Sequence, residues 1–222
     1  MSALGPVAII GGTGRLGMAL AKRLSRADIQ VIIGSRALVK AKSAAASLGP
    51  AARGLSNGDA AAAGRVIVVS VPYAAHRVTV DSLAAGVGEK VVIDAAVPLV
   101  TNGHMRVDRP PAGSLAMEAK SLLPGAKVAA AFHTVSSAML NDLTRPPHGD
   151  VLVCADDPEA REAAEELVRA VGMRPVDAGG LSQSHALEQI AGLLLVVNRR
   201  YRRRDLGITI AGLDNKDYGI RG

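Results

Sequence analysis

The chain has 222 residues, 49% of them hydrophobic and 21% charged, which suits one substantial folded core with a small appendage and argues against disorder. Aromatic residues make up only 2%, namely Tyr73, Phe132, Tyr201 and Tyr218, so the core is built from Ala, Val, Leu and Ile, and a nucleic-acid surface of stacked rings is not expected. The formal net charge of +6 comes largely from Arg199, Arg200, Arg202, Arg203 and Arg204; one such cluster without a reading helix offers nucleic acid only non-specific attraction.

Short β-branched runs alternate with longer Ala-rich amphipathic stretches, the pattern of strands and crossover helices in a parallel sheet. In chain order, Val7–Ile10 reads as the first strand and Met18–Ser25 continues the first helix. Val31–Gly34 is the second strand, Leu38–Leu48 a helix and Ala52–Leu55 a weak strand. Val66–Val71 is the fourth strand, Ala74–Ala85 a helix and Val91–Asp94 the next strand. The stretch Val97–Gly113 carries three prolines and no clean period, and reads as an ordered loop at the carboxyl edge of the sheet. A helix at Leu115–Leu123, strands at Val128–Phe132 and Val151–Ala155, a helix at Pro158–Val171 and a strand at Arg174–Asp177 come next. A final helix at Ser184–Tyr201 and a short segment Leu206–Ile210 complete the reading, with fraying expected from Gly212 onward.

The expected fold class is therefore α/β: a Rossmann-type, doubly wound parallel sheet with extra strands over residues 1–180, and a C-terminal helix and tail over 181–222 that complete a pocket. Cys154, alone of its kind and set in an apolar run, reads as core filler and forms no internal disulfide. The start of the chain shows no signal segment, and the apolar run Ile190–Val197 is too short to span a bilayer. A cytoplasmic protein with no membrane partner is expected.

Gly12-Thr13-Gly14-Arg15-Leu16-Gly17 lies between a predicted strand and a predicted helix, the context in which a glycine pattern of this spacing cradles a dinucleotide pyrophosphate. Gly12 permits the tight turn, Gly14 lets the backbone approach the phosphates, and Gly17 lets the helix pack closely on the strand. Free amides at the helix start and the helix dipole favour the negative charge. Choice of nucleotide is read at the end of the second strand, where a carboxylate would hydrogen-bond a ribose hydroxyl. This sequence has Ser35-Arg36 there, with Lys40 one helical turn on. A hydroxyl and two cations suit a 2′-phosphate, so NADP(H) is the expected nucleotide; the alternative is that Arg36 and Lys40 are solvated charges at a helix start. Val71-Pro72 ends the fourth strand where, in this fold, a loop passes under the riboses. No metal site is expected.

Several stretches together resemble the NADPH-dependent reductases of the deazaflavin coenzyme F-420. They are Ile10 to Gly17, Gly34-Ser35-Arg36 with Lys40, Phe132-His133-Thr134-Val135, Val153 to Asp157, Arg174 to Gly179, and Leu206-Gly207-Ile208. The resemblance implies hydride transfer between NADP(H) and coenzyme F-420, with the two rings stacked face to face. It places Thr13, Ser35, Arg36 and Lys40 at the adenosine end and His133, Thr134 and Val135 beside the rings, Val135 setting their spacing. Ser136, Leu206, Gly207, Ile208 and the final helix would bind the deazaflavin near a subunit contact, in a homodimer or higher homo-oligomer. On the last helix the chain departs from the family pattern of Arg, Ser and Thr, carrying His185, Gln189 and Ala191 instead.

Such chemistry needs no acid–base dyad, because both redox partners bring their own reactivity and the protein mainly holds two carbons in contact. His133 reads either as a hydrogen-bond donor to the deazaflavin edge or as a strand-end histidine bonded to backbone. Asp177 reads as structural. The arginine cluster from Arg199 to Arg204 complements the coenzyme's phosphate and glutamate tail if it borders the pocket, and is otherwise a solvated helix end. Two other functions compete. Imine and β-hydroxy-acid reductases share the N-terminal fold but add a large helical domain, for which fewer than about fifty residues after the last strand are too few. A non-catalytic NADP(H) sensor would not need the Phe132–Val135 edge.

Overall fold

The computed structural model describes residues 4–101 and 105–213. The expected fraying beyond Gly212 thus falls, from Asp214, outside the described residues. Strand β1 (Val7–Ile10) leads into helix α1 (Arg15–Arg26), and β2 (Val31–Ser35) into α2 (Leu38–Ala46). The edge strand β3 (Arg53–Ser56), α3 (Asn57–Ala63), β4 (Val66–Val69), α4 (Tyr73–Asp81), α5 (Ala84–Val87) and β5 (Val91–Asp94) come after them. A hairpin of β6 (Leu99–Val100) and β7 (Arg106–Val107) precedes α6 (Leu115–Leu122), β8 (Lys127–Ala130) and α7 (Ser137–Asn141). The chain ends with β9 (Asp150–Ala155), α8 (Pro158–Ala170), β10 (Arg174–Asp177) and α9 (Ser184–Arg200).

The sheet order is β10-β9-β8-β5-β4-β1-β2-β3. Pairing is parallel from β3 through to β8, and β9 meets β8 antiparallel before pairing in parallel with β10. The expected parallel sheet thus holds from β3 through β8 and is reversed in its last two strands. The reversal comes from the short return through α7, which ends at Asn141: by Asp150 the chain is already back at the same edge, with no crossover helix to carry it to the other.

Both faces of the central strands are buried, which is why these strands read as unbroken apolar runs. Val7, Ile9, Ile33, Val68 and Ile93 pack with α1, α2 and α8 on one face, while Ala8, Ile10, Ile32, Ile67 and Val92 pack with α3, α4 and α6 on the other. Cys154 lies in the second of these clusters, fully buried, and burial pushes its thiol up to about 11. It is core, as its apolar neighbours foretold.

Several stretches differ from the sequence reading, among them α7, which it did not foresee. Residues 57–63 form α3, whose Asn-Gly start resembles a turn; Ser56 caps it by accepting from the Asp59 amide at 3.2 Å. The expected helix Ala74–Ala85 breaks at Ser82 and Leu83, between the end of α4 and the start of α5. The expected loop Val97–Gly113 contains the β6–β7 hairpin, which sits on α9 because Gly192 has no side chain: a Cβ there would stand 2.3 Å from Val107 Cγ2.

Candidate active site

The carboxyl ends of β1, β2, β4, β5 and β8 share one edge of the sheet, and the strand order reverses between β1 and β4, the place where open α/β sheets open a crevice for ligands. There the structure holds a cleft of about 610 Å³ lined by Thr13, Gly14, Arg15, Leu16, Ser35, Arg36, Val71 and Pro72 among others. The turn that floors it is held by backbone bonds from Gly12 N to Ile9 O at 3.1 Å and Gly14 N to Gly11 O at 2.8 Å. Gly11, at φ +75°, is the residue that needs left-handed backbone, a role the sequence reading gave to Gly12.

Gly12 and Gly17 lie beneath the cleft. A Cβ on Gly17 would meet Ser70 Oγ at 2.7 Å and Gly12 Cα at 2.8 Å, so α1 comes this close to the turn only with glycine there. Helix α1 starts at Gly14 with no side-chain cap and no acidic residue in its first turn. Its leading amides are thus left for an anion, and the cradle fits a pyrophosphate. Thr13 Oγ1 lies 3.4 Å from Ser35 Oγ, which ties the glycine turn to the end of β2, and Ser35 accepts from the Ala37 amide at 3.2 Å. Arg36 is exposed on the rim. Lys40, on the first turn of α2, does not line the cleft. Asn57, which sequence reasoning passed over, does line it, and its buried Oδ1 has no hydrogen-bond partner.

A second cleft of about 620 Å³ adjoins the first, sharing Arg15 and Val97. His133, Thr134, Val135 and Ser136 form one wall, and Ala191, Leu194 and Leu195 of α9, with Leu206 of the tail, form the other. The chain turns into this cleft at Phe132, fully buried at φ +69°, a conformation that costs a bulky residue energy and is kept by its surroundings. Both ring nitrogens of His133 are buried without a partner, and burial drives the imidazole down to about 4 against a smaller opposing pull from Asp94. The ring is therefore neutral at physiological pH, and the backbone-bonded alternative for His133 does not hold. Ser136 caps α7 by accepting from the Met139 amide at 3.2 Å and donates to the Arg204 carbonyl.

The tail is split. Leu206 lines the cleft and is bonded to Asn198 of α9, its amide donating to Oδ1 at 3.2 Å. Gly207 and Ile208 lie outside the lining: the Asp150 amide donates to the Ile208 carbonyl at 2.7 Å, so these residues dock the tail on the start of β9. Of the three departures on the last helix only Ala191 faces the second cleft. His185 bonds the Ser182 carbonyl at 2.9 Å, and Gln189 faces the β6–β7 hairpin. Asp177 accepts from the Gly179 amide at 2.8 Å and pairs with Arg161, a structural role.

Behind both clefts lies a polar cluster that the sequence did not reveal. His76 of α4 is wholly buried, with Nε2 2.7 Å from Asp94 Oδ2 and Nδ1 3.1 Å from Glu118 Oε2. Burial lowers the imidazole's pKa, but attraction and hydrogen bonds from Asp94 and Glu118 outweigh it and raise the value overall. The second Asp94 oxygen accepts from the Ala96 amide at 2.9 Å, fixing the Ala95–Val97 backbone that lines the first cleft. On α9, Glu188 accepts from the Leu115 amide at 2.7 Å, and burial pushes its carboxyl up to about 8. These residues stand 18 to 42 positions apart in the His76 pairs, so no local motif could announce them.

The family model described as NADP oxidoreductase coenzyme F-420-dependent matches residues 6–98. The F-420-dependent NADP reductase of Methanocaldococcus jannaschii is 36% identical over 94% of this chain and 99% of its own length. That of Methanothermobacter thermautotrophicus is 38% identical over 95% of this chain and 97% of its own. Among solved structures, a protein from Arthrobacter sp. FB24 described as an F-420-dependent NADP-reductase superposes with a TM-score of 0.77 at 22% identity, covering 92% of this chain and 98% of that one. An imine reductase from Myxococcus stipitatus shares the fold with a TM-score of 0.64 at 15% identity, and the match takes in 63% of that chain. With two relatives matched along nearly their whole length at more than a third of positions, and this two-cleft Rossmann-type fold beneath them, the chain belongs to the F-420-dependent NADP reductase family.

Proposed function

We propose that this protein transfers a hydride between NADP(H) in the first cleft and the deazaflavin coenzyme F-420 in the second. The observation that carries the reading is the contiguity of the two clefts: Arg15 and Val97 belong to both, so rings bound in them would lie side by side at that junction. NADPH contributes the hydride, the deazaflavin accepts it, and one proton from solvent balances the reduction. The chain's own contribution is positioning. Gly12, Gly14 and Gly17 shape the pyrophosphate cradle, and Thr13, Ser35 and Arg36 hold the phosphorylated ribose. Lys40 supplies long-range positive charge from outside the lining. Val71 and Pro72 support the riboses, and Val135 and Thr134 set the spacing of the rings.

His133, neutral and unpaired, donates a hydrogen bond to the deazaflavin edge as charge builds there. Ser136 and Leu206 close the second cleft, while Gly207 and Ile208 anchor the tail that carries Leu206. In this reading residues 1–180 form the nucleotide-binding part and 181–222 the part that completes the substrate pocket. Leu193 and Val196 expose 62% and 48% of their surface on one side of α9, an apolar stripe suited to a homodimer contact. Among the described residues no helix is long and apolar enough to cross a membrane, and we place the enzyme in the cytoplasm. The direct test mixes purified protein, NADPH and coenzyme F-420 and monitors the deazaflavin absorbance. Turnover supports the reading, and its absence at micromolar protein ends it.

A further inference from the structure

The junction between the two clefts is built on a buried side chain. Strand β5 ends at Asp94, and the next three residues, Ala95, Ala96 and Val97, line the first cleft, with Val97 lining the second as well. The Ala95 amide still donates to β4, at 2.9 Å to the Val69 carbonyl, whereas the Ala96 amide has left the sheet and donates to Asp94 Oδ1 at 2.9 Å. The path of the chain toward Val97 thus depends on one carboxylate.

Aspartates bond the amide two residues on in many turns, where water leaves them free to rotate. Asp94 has no such freedom. Its side chain has no exposed surface, and its other oxygen lies 2.7 Å from Nε2 of His76, a ring that is equally enclosed. The far nitrogen of that ring is 3.1 Å from Glu118 Oε2, and Glu118 Oε1 accepts from Arg77 at 3.0 Å. Helices α4 and α6 and strand β5 therefore meet on one imidazole, which leaves the Asp94 carboxyl a single orientation. For stability alone the arrangement is a poor choice, because these groups lose their hydration and well-packed apolar side chains hold a core at least as well. What it supplies is direction, since hydrogen bonds fix angles as well as distances.

We infer that Asp94, locked by His76, is a positioning residue for hydride transfer: it sets the path of Ala96 and Val97 where the clefts join, and through them the approach of the two rings. The inference rests on the clefts being the donor and acceptor sites. Neither side chain lines a cleft, so both act through the backbone. Reacting carbons must close to about 3–3.5 Å, and a shift of about 1 Å in their support slows a reaction by up to about 100-fold.

The test is the single-turnover rate constant for reduction of coenzyme F-420 by NADPH, with both saturating. That constant reads only folded, fully loaded enzyme: lost fold lowers the amplitude, and lost affinity raises the concentrations needed. Asp94→Ala should lower the constant by about 10- to 100-fold. Asp94→Asn, which still presents an oxygen to the Ala96 amide and an NH₂ to His76, should restore most of it. Leu167→Ala hollows the core at α8, away from both clefts, and should lower the unfolding midpoint while leaving the constant unchanged. A smaller fall in Asp94→Ala, or an equal fall in either of the other two variants, would overturn the inference and leave the function of the clefts standing. If Asp94→Ala does not fold, the pair His76→Leu/Asp94→Asn decides. It keeps the bond to Ala96 but removes the lock, so transfer should slow severalfold, and an unchanged constant would overturn the inference. Wild-type enzyme that reduces no deazaflavin would instead remove the functional reading and this inference together.

Discussion

Replacing His76 with leucine keeps most of the side-chain volume but removes the ring that hydrogen-bonds two buried carboxylates. In the native structure the imidazole sits 2.7 Å from Asp94 and 3.1 Å from Glu118. Glu118 keeps a partner in Arg77 at 3.0 Å, whereas Asp94 Oδ2, with no exposed surface, is left without one. Stripping one partner from a buried ion pair costs about 3–5 kcal/mol, a large share of the ~5–15 kcal/mol that holds a domain folded. With a urea slope of roughly 2–3 kcal/mol per molar for a chain of this size, the unfolding midpoint should fall by about 1–2 M. Circular dichroism in a urea series reads this directly. The Asp94→Asn change added to His76→Leu removes the stranded charge and still offers an oxygen to the Ala96 amide, so it should recover part of the loss. Because Asp94 fixes Ala95–Val97 at the first cleft, the single variant should also bind NADPH more weakly. A midpoint within about 0.3 M of wild type, a loss below ~1 kcal/mol on the same slope, would show that the His76 cluster does not hold the fold together.

Gly17→Ala puts a methyl against Ser70 Oγ and the Gly12 backbone, and NADPH titration by fluorescence should show at least about tenfold weaker binding from the displaced helix start; unchanged affinity would refute the close packing. Arg36→Ala should weaken NADPH by about 10- to 100-fold, the worth of a charge-assisted hydrogen bond, with little effect on NADH; equal losses for both would remove Arg36 from the 2′-phosphate. Stability should fall on both sides of a mid-acid to neutral optimum. His133, held down to about 4 from 6.5, contributes stability that is complete above 6.5 and drains away as pH drops toward 4. Glu188, lifted from 4.5 to about 8, does the reverse, its contribution present below 4.5 and lost as pH rises toward 8. The raised His76 adds to the alkaline side, since its contribution is full below 6.5 and goes as pH climbs through the folded value. Urea midpoints against pH should therefore flatten on the alkaline limb in Glu188→Gln; an unaltered limb would contradict the buried acid.

The strands were legible because buried parallel strands are unbroken apolar runs, and the glycine turn because its spacing mirrors what a pyrophosphate requires of the backbone. Ser35-Arg36 could be placed for the same reason, at the end of β2 on the lining of that cleft. The elements lost to sequence reasoning are those whose local signal points elsewhere. Asn57-Gly58 reads as a turn yet opens α3, and the prolines between Val97 and Gly113 hide a two-residue-strand hairpin that exists because Gly192 gives it room. The reversal of β9 depends on the path through α7 and not on any residue pattern within the strand. His76, Asp94 and Glu118 meet only when α4, β5 and α6 pack together. In the tail, Leu206 and Ile208 look alike in sequence, and only the fold separates the one that faces the cleft from the one that anchors the chain.

The central claim is direct passage of hydride between two rings in adjoining clefts. Single-turnover reaction of coenzyme F-420 with NADPH carrying deuterium at the transferable position, analysed by mass spectrometry, tests it most closely. The account predicts deuterium retained on the reduced deazaflavin and none released to water. Loss of the label to solvent, or its appearance on the protein, would contradict it.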